Sequence, residues 1–167
     1  MGKSGQVLLM VAPIALLTGL IVTASTQPGE DAVTDRLAIT DKISQYAYHW
    51  DAKNADAFAD LFTEDVVIER WVRGELRSRL EGRDALHAYA RESHQGRLAD
   101  RQTRHHMSSV VFIELNADTA KTENMVLITH QTESDAAARN AGAGIYRNTW
   151  RRTGQGWKIS KRVLHSD

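Results

Sequence analysis

The stretch RHHMSSVVFIELNADTAKTENMVLITHQT, residues 104–132, decides the fold. Two runs rich in β-branched residues, 104–115 and 119–132, flank Asn116-Ala117-Asp118, a sequence suited to a tight turn, so the segment reads as strand, turn and strand. His105 and His130 stand one strand-turn-strand apart within it. Imidazole gains little from plain burial. An aspartate that meets such a histidine in a closed pocket makes a proton-transfer pair that works near neutral pH. A lone Asp51 at the end of an upstream helix is the candidate partner.

Downstream, 144–152 and 157–164 read as two further strands around the turn Gly154-Gln155-Gly156. Upstream, Ile39, Ile43, Ala47 and Trp50, with Tyr46 beside them, recur at helical spacing over 35–50. Asn54 can cap a short helix through Phe62. The run 66–72 predicts a strand, Gly74 a turn, 75–80 a more polar strand, and 82–94 a helix with Leu86, Tyr89 and Ala90 toward the core. Helices first and antiparallel strands last is an α+β pattern, with helices on one face of a curved sheet and an apolar concavity beneath.

The bulk numbers narrow the function. A chain of 167 residues makes one folded domain with a core that needs no staples. Lys plus Arg and Asp plus Glu each total 21, and this balance argues against nucleic acid or an anionic surface as partner. The absence of cysteine excludes disulfides, thiolate metal sites and thiol nucleophiles. Lys3, an apolar run over 7–22 and the small residues Thr23-Ala24-Ser25-Thr26 match a secretory signal peptide, here 1–25, with an uncleaved N-terminal membrane anchor as the weaker alternative. A linker, 26–34, and a domain, 35–167, complete the expected organisation. Export to the periplasm or outside the cell follows from that reading, with no membrane partner once the leader is cut.

Each candidate also has a plainer role. Asp51 can be a solvated carboxylate or a cap, although negative charge at a helix C-terminus opposes the helix dipole. His105 and His106 are adjacent on a strand and point to opposite faces, so they cannot chelate one metal together. His130 closes an apolar strand as a core or edge residue would, and Tyr46 and Trp50 read as core aromatics. Arg147, Arg151 and Arg152 read as a solvated strand face, and His49, His87, His94 and His165 lack supporting context. No nucleophile elbow, phosphate loop or dinucleotide fingerprint is present, and neither a cofactor nor a metal is expected.

From about Leu37 onward the chain resembles the SnoaL-like branch of the nuclear transport factor 2-like superfamily. The segments that carry the resemblance run from Tyr46 to Phe58, Leu61 to Asp65, Gly82 to Leu86, Thr103 to His105 and Gly156 to Ile159. It implies a cone-shaped curved antiparallel sheet packed against N-terminal helices. Motif matches are to scytalone dehydratase, γ-hexachlorocyclohexane dehydrochlorinase and bile acid 7α-dehydratase. Those matches imply catalytic roles for Asp51, His105, His130 and Tyr46. Trp50, Phe58 and Met107 would form substrate-binding walls, and Asn148 would be a polar contact to substrate. The implied activity is a cofactor-independent, dehydratase-type lyase acting on a small hydrophobic, cyclic substrate. The same pair would also serve an isomerase or cyclase, and the scaffold alone would serve a non-catalytic ligand-binding or assembly domain. A homodimer or trimer is expected under any of these.

Overall fold

The computed structural model describes residues 1–2 and 28–166. The signal-peptide reading therefore falls almost wholly outside the described residues. Helix α1 spans Pro28–Asp51. It begins within the stretch read as linker, since a proline is tolerated in a first turn, where its missing N–H would be unpaired anyway. Ile39, Ile43, Tyr46 and Trp50 form its buried stripe, while Ala47 turns to its flank. No helix among the described residues is long and apolar enough to cross a membrane.

The chain reverses at Lys53, whose φ of 57° is left-handed. Asn54 caps the short α2, Ala55–Ala59, by accepting a hydrogen bond from the Ala57 backbone N–H at 3.0 Å. Strand β1, Phe62–Val72, starts earlier than its β-branched run implies. It pairs with β2, Glu75–Glu81, through a turn at Arg73 and Gly74. Both turn residues have positive φ, the condition for a two-residue hairpin that matches strand twist, and Gly74 meets it without strain. Helix α3, Arg83–Gln95, buries Leu86, Ala90, Ser93 and His94. Tyr89, expected in the core, is instead exposed at its rim.

Strands β3, Arg101–Leu115, β4, Thr119–Thr132, β5, Arg139–Thr153, and β6, Gly156–Ser166, form an antiparallel meander. The six strands lie in the order β2-β1-β6-β5-β4-β3. One pairing departs from expectation: β1 and β6 run parallel, so the sheet is mixed rather than antiparallel. The helical crossover needed for a parallel pair is available, because α3 and the meander lie between the two strands in sequence. Helices α1 and α2 cover the inner face of the curved sheet. There Phe58, Phe62, Val66, Trp150, Trp157 and Ile159 pack against the α1 stripe. Burying a single large aromatic of this kind stabilises by roughly 1.5–3 kcal/mol.

Candidate active site

Asp51 is the last residue of α1, and β3 is an edge strand of the sheet. An edge strand leaves alternate backbone N–H groups without a ladder partner. The Asp51 carboxylate fills that need by accepting from the His105 backbone N–H at 2.7 Å. It also accepts from the Thr103 hydroxyl at 2.6 Å and from His105 Nδ1 at 2.7 Å. Gln102 adds a hydrogen bond to the Asp51 carbonyl at 3.1 Å, tying the helix end to the strand. The side chains of His105 and Asp51 are only 6% and 10% exposed. Burial by itself would raise the Asp51 carboxyl, but the hydrogen bonds from His105 and Thr103 outweigh it and hold the group below its ordinary value of 3.8.

That geometry assigns the histidine's tautomer. An ionised carboxylate only accepts, so Nδ1 carries a proton, and in the neutral tautomer of that ring Nε2 is the nitrogen with the lone pair. Among the described residues nothing hydrogen-bonds Nε2. His105 and Asp51 both line a cleft of ≈ 570 Å³ between α1 and β3, together with Ser44, Ala47, Tyr48 and Met107. The arrangement fixes the ring through Nδ1 and leaves Nε2 unengaged.

His130 lies beside the pair: Thr103 is paired with His130 and His105 with Ile128, so His105 and His130 share the inner face one step apart. His130 hydrogen-bonds neither member of the pair. Burial lowers its pKa below the ordinary 6.5, and the charges of Arg101, His105 and Arg97 add to that. His106 points the other way and meets Thr129 at 3.2 Å. The Tyr46 ring stands edge-on to His105 at 6.1 Å, with its hydroxyl 3.4 Å from that of Tyr146. Trp50 and Phe58 pack against one another at 5.0 Å, and Trp50 also flanks His105 at 6.2 Å.

Asn148 is not a free polar contact. Its amide donates to Thr122 at 3.2 Å and to Asn124 at 3.1 Å, and its oxygen accepts from Arg162 Nε at 2.7 Å. Asn124 in turn donates to the Met107 thioether at 3.4 Å. The inner face of β4–β6 is therefore a polar chain as well as an apolar wall, which corrects the expectation of an apolar concavity. Arg147, Arg151 and Arg152 form ion pairs with Glu123, Asp65 and Asp35 on the surface, consistent with a solvated face.

Two buried groups escape a reading of the sequence. His94 packs on Trp50 at 4.8 Å, and among the described residues neither ring nitrogen has a hydrogen-bond partner. Burial depresses its pKa, with Lys53 and Arg97 adding to the effect against an opposing pull from Asp51. It continues the α3 stripe of Leu86 and Ala90 at a spacing of four, the one signal that could have found it. Arg162 is 2% exposed and lies over the Tyr46 ring at 3.7 Å. A bulge hides it: Trp150 pairs with Ile159 but Thr149 with Lys161, so Ser160 is extra and the inward alternation moves from Lys161 to Arg162.

Among the described residues no cluster of three or more His, Asp or Glu side chains is arranged to hold a metal ion.

With this geometry in place, the family can be stated. A model of the SnoaL-like domain matches residues 31–163. The chain belongs to the SnoaL-like domain family. Among solved structures it is similar to an NTF2-like protein with a cystatin-like fold from Novosphingobium aromaticivorans, at 24% identity and TM-score 0.70, covering 83% of this chain and 85% of that one. A scytalone dehydratase candidate from the same organism shares 22% identity at TM-score 0.69, over 83% and 88% of the two chains. The beta subunit of an aromatic-ring-hydroxylating dioxygenase candidate, again from that organism, shares 17% at TM-score 0.70, over 83% and 92%. These likenesses establish the NTF2-like α+β fold of this SnoaL-like chain, and nothing finer. No curated protein sequence matches it significantly.

Proposed function

We propose that this SnoaL-like protein is a cofactor-independent lyase that eliminates water, or another small leaving group, from a small hydrophobic, cyclic substrate. The observation that carries the reading is the Asp51–His105 contact at 2.7 Å, which leaves His105 Nε2 basic beside the cleft. Substrate enters between α1 and β3, and Nε2 removes a proton from carbon next to an activating carbonyl. The imidazolium that forms is held by Asp51. The electron pair of the broken C–H bond first delocalises onto the carbonyl oxygen as an enolate, then forms the new C=C bond as the C–O bond breaks. His130 steadies the departing oxygen, and the proton taken by His105 ends on the hydroxide, so water leaves and the histidine returns neutral. The Tyr46 hydroxyl, engaged only by Tyr146 at 3.4 Å, is the donor for the enolate oxygen. Met107 bounds the substrate's apolar body, whereas Trp50 and Phe58, expected as walls, lie in the core behind His105 and do not line the cleft.

The test uses a panel of cyclic β-hydroxy ketones with product mass as readout. Loss of one water, abolished in His105→Ala and Asp51→Asn, supports elimination. Conservation of mass with the same mutational pattern would move the reading to isomerisation or cyclisation. A second reading, a non-catalytic assembly domain, is favoured by the similarity to a dioxygenase beta subunit and by Val111, Ile113, Met125 and Leu127, exposed on the outer sheet face. That patch is also the surface proposed for a homodimer or trimer, which sedimentation of Met125→Lys against the parent chain would check.

A further inference from the structure

Arg162 is a full positive charge inside the fold, and among the described residues no counter-charge contacts it. Guanidinium does not deprotonate in proteins, so burial cannot neutralise it as it can a lysine. Its Nε donates to the neutral amide oxygen of Asn148 at 2.7 Å, yet neither terminal nitrogen has a hydrogen-bond partner. Glu69, a buried carboxylate of the sheet, is held by Arg79, Lys161 and Trp71 and is not available to it. Aromatic faces supply the remaining contacts: Tyr46 at 3.7 Å, Tyr146 at 4.5 Å and Phe62 at 6.0 Å. Ring quadrupoles attract a cation, but they do not accept its in-plane N–H groups. A buried charge left this way is costly unless something completes it.

We propose that Arg162 is the recognition site for a carboxylate on the substrate, whose flat apolar body lies against Tyr46 and Tyr146. A carboxylate is the group that matches both needs. It brings a full negative charge, and its two oxygens fit the parallel N–H pair of a guanidinium. A neutral carbonyl would satisfy one hydrogen bond and leave the charge unbalanced. Between the cleft and Arg162 stand three side chains joined by hydrogen bonds, Met107, which lines the cleft, then Asn124 and Asn148, both buried, so a ligand that enters from the cleft has to displace Met107 to reach Arg162. A thioether is flexible and a weak acceptor, so a ligand displaces it at little cost. Tyr46 stands between the two ends of this path, its face on Arg162 and its edge toward His105 at 6.1 Å. A substrate anchored at Arg162 would therefore present its ring to His105 from a fixed direction. This deepens the lyase reading by naming an acidic substrate, and it rests on that reading only in treating the bound molecule as a substrate.

The probe is 2-naphthoate, set against its neutral isostere 2-naphthamide, titrated into the full chain by calorimetry. The expected result is a preference for the carboxylate of about tenfold or more, the return of one charge-assisted hydrogen bond. Arg162→Met should keep the affinity for the amide and lose the preference. If that variant does not fold, Arg162→Lys serves, since it retains charge without the fork and should keep only part of the preference. In the parent chain, the side-chain nitrogen resonances of Arg162 should shift on adding naphthoate. Equal affinity for the two probes, a preference that survives in Arg162→Met, or unmoved Arg162 resonances would each overturn the proposal. Turnover is a separate readout. A naphthoate preference without any elimination would strike the lyase reading alone, and elimination without the preference would strike this inference alone.

Discussion

Two ends of the same interior are built on opposite terms. At the Asp51 end every polar atom of the carboxylate is engaged, and three donors converge on it at 2.6–2.7 Å. At the Arg162 end a cation is still more deeply buried, and among the described residues its terminal nitrogens meet no acceptor. The first corner is complete in the free protein, so its geometry costs no rearrangement when chemistry begins. The second is incomplete, and its missing partner is the part a ligand would bring. Under the proposed reading, one end serves reaction and the other recognition.

That contrast can be broken most decisively at the complete corner. Asp51→Asn and His105→Ala should each lower turnover by roughly 10²–10⁴-fold, the range for general-base help, with the folded state retained. A rate near that of the parent would remove the residue from the mechanism. Next in size is stability. Asp51→Ala should cost about 3 kcal/mol, because it strands buried donors on Thr103 and His105, and thermal melts will read it as a lowered Tm. Arg162→Met should behave in the opposite sense, with Tm unchanged or raised by the equivalent of up to about 2 kcal/mol, since a lone charge leaves the interior. A large fall in Tm for that variant would make Arg162 a structural cation and end the contrast.

The smallest expected effect lies in pH. His94 and His130 have folded-state pKa values depressed below 6.5, so the unfolded chain binds protons first. Their contribution to stability is complete above about 6.5 and is lost as pH falls through their folded values. Asp51, depressed below 3.8, adds a second loss only at more acid pH. Melts of His94→Phe should show a shallower decline from pH 7 to 5 than the parent chain, roughly one titrating group's worth. Identical slopes would mean that His94 takes no part.

How much of this was legible follows from how local each signal is. Asp51 and His105 are named by the motifs of the SnoaL-like resemblance, because strand alternation alone cannot choose between His105 and His106, and His105 lies five residues into β3. Their third member, Thr103, shares His105's face two residues earlier, but a threonine in a strand is too ordinary to stand out. His94 was hidden by the habit of ending an apolar stripe at the last apolar residue, although Leu86, Ala90 and His94 keep one spacing. Arg162 could not be placed at all by alternation. The bulge at Ser160 is a property of pairing with β5 and β1, not of the run Lys158 to Leu164 itself. The same limit applies to the parallel β1–β6 contact, since nothing in either strand names its neighbour.

That contact carries one more lesson. Strand β6 lies between β1 and β5, so the early hairpin and the later meander become one sheet only when β6 docks on both. The β1–β6 half of that joint closes a large loop, a non-local contact of the kind that slows assembly relative to a helical bundle of equal size. Sequence changes in β6 should thus delay the knitting of two half-built pieces, whereas equal changes in β2, on the rim, would leave them already joined.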